Sequence, residues 1–128
     1  MEARLDNARS GEDAVRAVSE SGPYLTLTRS MLGDDVCVGV RGEVDISAAP
    51  ELGAYLSAVC SERPPGLAVN FDEVTFFDSS GVRVLVHAAR VAAAAGIGFY
   101  LLCPVSNLPV RRVIDILQLN TVLTIVDS

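Results

Sequence analysis

The chain has 128 residues, half of them hydrophobic, with no tryptophan and few other aromatics; that is the length of one domain, and its core must be built from Val, Leu, Ile and Ala. Acidic residues outnumber basic ones and the net charge is −6, which argues against nucleic-acid binding and against attachment to anionic membranes, since both need a basic face. Three scattered cysteines, Cys37, Cys60 and Cys103, form no C-x-x-C pair and fit buried thiols in a reduced cytoplasm better than a disulfide framework; no apolar run approaches the ~18 residues of a membrane span, and no signal-peptide pattern opens the chain.

Residues 1–22 are polar and charged, with Gly11 and Gly22 as breakers. Within them Glu12–Val18 suits a short helical turn, its acidic start matched to the helix dipole. They are assigned to a mobile N-terminal arm, and residues 23–128 to one folded domain. Tyr24–Arg29 alternates and is rich in strand formers. Gly33-Asp34-Asp35 supplies a turn, and Val36–Gly42 reads as a second strand close enough to pair as a hairpin. Ser47 is placed to cap a helix that begins near Ala48, with Pro50 tolerated in its first turn. Leu52, Tyr55, Leu56 and Val59 form its core-facing stripe, and Arg63-Pro64-Pro65-Gly66 ends it.

Leu67–Phe71 is apolar nearly throughout, as in a strand covered on both faces. Asp72-Glu73, like Asp34-Asp35, reads as turn residues. Val84–Ala95 reads as a helix stopped by Gly96. Ile97–Cys103 is a further strand, which Pro104 ends. Ser106 or Asn107 is placed to cap a helix over Leu108–Leu117, with Val110, Val113, Ile114 and Leu117 at helical spacing. Val122–Val126 is a last short strand. The order β-β-α-β-α-β-α-β predicts an α/β fold: a small mixed sheet of about five strands, with right-handed crossovers and the helices packed on one side.

The chemistry centres on Phe76-Phe77-Asp78-Ser79-Ser80-Gly81-Val82, where a strand-to-loop connection enters a helix. A hydroxyl there has two roles open to it. It can cap the helix, or it can carry a phosphate that the positive helix end stabilises. Catalysis is poorly served. There is no G-x-S-x-G elbow. The only histidine, His87, lies eight residues after Ser79, about 12 Å along a helix axis and too far to act as its base. One His and scattered Cys match no zinc spacing, and no phosphate-cradling glycine loop is present. No catalytic set, metal or cofactor is expected, and a binding or signalling module is the better class.

Two segments then carry a resemblance. Arg41-Gly42-Glu43-Val44-Asp45-Ile46-Ser47-Ala48-Ala49-Pro50-Glu51-Leu52 resembles the R-G-E-[LV]-D segment of the anti-sigma factor antagonists of the STAS domain family. The Asp78 segment resembles that family's [FM]-D-S-[ST]-G-[LV]. Their spacing, the element order and the Cys103-Pro104…Val113-Ile114 segment also fit, over roughly Tyr24–Val126. The resemblance implies a non-enzymatic, cytoplasmic phosphoprotein that works by partner switching. The unphosphorylated form binds an anti-sigma factor that is also an ATP-using serine kinase, and a sigma factor is released. Phosphorylation of the first serine after the aspartate, here Ser79, breaks the complex, and a PP2C-type phosphatase restores it.

The same resemblance makes Gly42, Glu43, Asp45, Asp78, Ser80, Gly81, Val82 and Arg83 the partner-recognition residues. Gly81 would allow close backbone approach. Val82 is either a partner contact or a core residue. Asp45 either caps the first helix or borders the serine loop; only the first role predicts a large stability loss in Asp45→Ala. Many relatives carry a further helix after the last strand. Its lack would leave a sheet face or edge exposed and favour a homodimer. The alternative within the family is a STAS scaffold or accessory subunit not switched on Ser79, as in a stress-sensing or lipid-transport complex. Outside it stands an enzyme or anion carrier using the helix start, for which Arg83 is the only nearby cation in the sequence.

Overall fold

The computed structural model describes residues 14–15 and 25–127. In chain order the elements are β1 (Ala14–Val15), β2 (Leu25–Leu32), β3 (Asp35–Val44), α1 (Ala49–Ser61), β4 (Gly66–Phe77), α2 (Ser79–Ala94), β5 (Gly98–Leu102), α3 (Leu108–Ile116), a 3-10 turn (Leu119–Thr121) and β6 (Thr124–Val126). One six-stranded sheet runs in sequence order from β1 to β6. β1, β2 and β3 pair antiparallel, and β3 to β6 pair parallel. This is the expected α/β architecture with one strand more. Ala14 and Val15 pair with Thr28 and Leu27, so these two residues are extended where a helical turn was expected. The rest of the assigned arm, up to Gly22, lies outside the described residues. Among the described residues no helix is long and apolar enough to cross a membrane.

Alternation along the strands decides the two faces of the sheet. The register sets Val38, Val69, Leu101 and Ile125 in one row, and pairs Leu27 with Val40 on the same face. Leu27, Val38, Val69 and Leu101 have no more than trace exposure. Leu52, Leu56 and Val59 of α1, Leu85 and Ala92 of α2, and Val110 and Ile114 of α3 join them in one continuous apolar cluster. A bidentate Arg29–Glu62 ion pair ties β2 to the end of α1. On the opposite face Ser30, Cys37, Ala68 and Tyr100 form a row of mostly small side chains, across which the Tyr100 hydroxyl donates to Asp35 Oδ2 at 2.8 Å. The three cysteines are buried free thiols. Burial pushes each of them above the ordinary thiol range.

Four local expectations are corrected. Asp72-Glu73 is not a turn: β4 runs on through Phe77, with both acids exposed. It does so by slipping twice against β3. The pair Gly39↔Asn70 is followed by Arg41↔Glu73, and Gly42↔Val74 by Glu43↔Phe76, so β4 accommodates one extra residue at each slip. Gly42, at φ +112°, occupies backbone space that only glycine enters readily. Asn107 sits at the N-cap position of α3 but caps nothing. Its Nδ2 donates instead to the Phe71 and Val74 carbonyls at 3.0 and 2.9 Å, holding the slipped stretch of β4. Ser47 does not cap α1 either: the N-cap position is Ala48, without a side-chain cap bond, and Asp45 does that work. Asp35, also read as a turn residue, opens β3.

At the far end of α2 the expected stop is present. Gly96, at φ +75°, follows the C-cap Ala95. The Ile97 N–H reaches the Ala92 carbonyl and the Gly96 N–H the Ala93 carbonyl, the paired bonds of a Schellman motif.

Candidate functional site

The site lies at the carboxyl ends of β3 and β4. Val44 pairs with Phe77 in parallel register, so the next residues, Asp45 and Asp78, leave adjacent strands side by side, as neighbouring strands about 4.8 Å apart require. Each aspartate then serves a helix start. Asp45 Oδ1 accepts from the Ser47 N–H at 3.0 Å, the Ser47 hydroxyl at 2.8 Å and the Ala48 N–H at 3.0 Å. Its backbone carbonyl accepts from the Ala48 and Ala49 N–H groups. The Ser47 hydroxyl, and after it the Ala48 N–H, holds the Asp45 carboxyl below the ordinary aspartate range. Asp78 is the N-cap of α2, and its Oδ1 accepts from the Ser80 N–H at 2.9 Å.

With that bond fixed, the two serines differ. Ser80 is half-buried at the second helical position, while Ser79, the first, is exposed. Among the described residues the Ser79 hydroxyl has no hydrogen-bond partner. The structure thus gives the aspartate the capping role that a serine could have filled, and leaves the Ser79 oxygen facing solvent.

The other expected recognition residues divide. Glu43 and Arg83 are exposed, and Gly42 is half-buried in the second slip of the sheet. Gly81 is buried. A Cβ there would stand 2.7 Å from both Phe77 Cε1 and Val44 Cγ1, closer than packed carbons approach. Its small size therefore serves the seating of α2 on the strand ends. Val82 packs against the core cluster, which fills the core role of the two open to it.

Sequence reasoning missed the apolar surround. Ile46 is 78% and Phe76 46% exposed. Ile46 follows Asp45 in its loop and Phe76 stands near the end of β4, two residues before Asp78, and only the burial pattern separates them from core residues of the same type. A groove of about 590 Å³ runs from this edge between α1 and α2, lined among others by Pro50, Gly53, Val84, Ser80, Arg83 and His87. At Gly53 on α1 an added Cβ would stand 3.6–3.7 Å from the Val84 methyls of α2, an ordinary packing distance. Arg83 and His87, four residues apart on α2, are both exposed, and among the described residues neither has a hydrogen-bond or ion-pair partner. No cluster of three or more His, Cys, Asp or Glu suited to a metal occurs among the described residues.

The fold and site define a small α/β module that presents an exposed serine at a helix start near exposed apolar side chains. The model of the STAS domain family matches residues 29–128, and the chain belongs to that family. Solved structures share the fold. One is an anti-sigma factor antagonist from Mycobacterium paratuberculosis (24% identity, TM-score 0.74, covering 81% of this chain and 86% of that one). Another is the anti-sigma factor antagonist SpoIIAA in its unphosphorylated form (24% identity, TM-score 0.63, 80% and 89%). A third is the Bacillus cell fate determinant SpoIIAA in the phosphorylated form (24% identity, TM-score 0.58, 80% and 92%). No curated protein sequence matches the chain.

Proposed function

We propose that this protein is an anti-sigma factor antagonist switched by phosphorylation of Ser79, with no catalytic activity of its own. The observation that carries the proposal is the exposed Ser79 hydroxyl at the first position of α2, without a hydrogen-bond partner among the described residues, beside an aspartate already committed to Ser80. In the unphosphorylated form Ile46 and Phe76 give a partner apolar contact on either side of the serine, and the partner is an anti-sigma factor with serine-kinase activity. The kinase transfers the γ-phosphoryl group of ATP to Ser79 Oγ; the hydroxyl proton is lost and ADP leaves. The new group adds about −1.5 to −2 charge at pH 7. Desolvating that charge beside Asp78 and Asp45 is costly, and three extra oxygens do not fit a packed interface. The complex separates through a local change, without refolding, and a PP2C-type phosphatase reverses it. Glu43, Asp45 and Arg83 complete the polar rim of the contact, in a cytoplasmic setting.

Intact-mass spectrometry after incubation with ATP and candidate anti-sigma serine kinases tests this. Wild type gains one phosphate and Ser79→Ala gains none. A phosphate that persists in Ser79→Ala moves the acceptor elsewhere. A kinase that binds but never modifies the chain turns the module into an unswitched scaffold.

A further inference from the structure

We propose that Arg83 is the receptor for the phosphate within this chain: once Ser79 is phosphorylated, the Arg83 guanidinium clamps it. The inference deepens the proposed switch and rests on it for its biological use. Its first support is placement. Ser79 and Arg83 stand four residues apart in the first turns of α2, the spacing at which helical side chains meet. At about 100° per residue, Arg83 falls between the two serines on the helix surface, about 40° from Ser79 and about 60° from Ser80. Helical side chains lean toward the N-terminus, so a long arginine reaches back over the turn that carries Ser79. The order, acid before base, is the favourable one for such a pair.

The second support is charge. A phosphate on Ser79 would join Asp78 and, from the adjacent strand end, Asp45, in a chain that already carries −6. Three anionic groups at one edge call for a cation. Arg83 is exposed and spends its guanidinium on no other described residue. Arginine is also the side chain whose planar donors match phosphate oxygens in pairs.

The clamp has a second effect. Arg83 lines the groove between α1 and α2. Drawn onto the phosphate, it leaves His87 as the other basic side chain lining that groove. Phosphorylation then alters the surface at two places, the serine and the groove mouth, through one side chain.

The test installs phosphoserine at position 79 during translation, in the full chain, and follows its phosphorus NMR shift through a pH titration. The second phosphate pKa is expected about 0.3 unit or more lower in wild type than in Arg83→Gln, with Arg83→Lys between them, and the gap should shrink in about 1 M salt. Equal pKa values in wild type and Arg83→Gln overturn the clamp. Because no kinase is needed, that outcome leaves the proposed switch standing. Conversely, a clamp seen here while no kinase modifies Ser79 would sink the switch alone.

Discussion

Asp45 shows how one side chain can serve both stability and recognition. Its carboxylate gathers three donors at the start of α1. Removing a helix-start acceptor costs about 1 kcal/mol, so Asp45→Ala should melt lower by about 4 °C in a domain of this size. Calorimetry showing an unchanged melting temperature would return Asp45 to a purely recognition role. Because its carboxyl is held below the ordinary range, the folded state binds that proton more weakly than the unfolded chain does. The stabilisation is complete above the ordinary aspartate value of about 3.9 and is lost as pH falls through the lower folded value. Urea midpoints of wild type and Asp45→Ala should therefore converge below about pH 4.

At the scale of elements, two glycines near the site oppose each other. Gly53 lies inside α1, and a Cβ there would meet Val84 at ordinary contact distance. Gly53→Ala removes the helix cost of glycine and should stabilise by about 0.5–1 kcal/mol. Gly81→Ala would drive a methyl into Phe77 and Val44 and should cost about 1–3 kcal/mol. Chemical denaturation of both variants checks the pair; shifts of the same sign would refute this account of how α2 is seated.

Both helices were legible in the sequence because their apolar spacing, and the Gly96 stop, act within a few residues. A cap within Asp78-Ser79-Ser80 was legible for the same reason, and the structure assigns it to Asp78. Asp45 and Ser47 are both cap formers two positions apart, and only the geometry of the strand exit chooses between them. The passage of β4 through Asp72-Glu73 depends on pairing with β3 and on Asn107, more than thirty residues away, which no local pattern carries. The exposure of Ile46 and Phe76 is likewise set by the tertiary fold, and the β1 pairing by a strand that local propensity did not suggest.

Across the whole molecule the sheet separates a helix-covered face from one crossed by Tyr100. Its hydroxyl binds Asp35, 65 residues away in sequence, so one bond spans β3, β4 and β5. Burial first, and Asp35 second, push the phenol up to about 12. The folded state thus keeps a proton that the unfolded chain releases near pH 10. Stability from this group is intact below pH 10 and is lost as pH rises to about 12. Urea midpoints followed across that window should fall more steeply for wild type than for Tyr100→Phe; parallel curves would mean that the phenol contributes nothing to alkaline unfolding.

The two slips in β4 also have a consequence of parity. A strand turns its side chains over at every residue, so an inserted residue would invert the face of everything behind it unless the bulge itself absorbs the change. Here each slip absorbs its own: Phe71, Val74 and Phe77 fall three apart, yet all lie in the one buried cluster. Val74 pairs with Gly42 after the first slip, and Phe77 with Val44 after the second. The phase of the strand is thus reset twice before its end, and the two aspartates leave as neighbours.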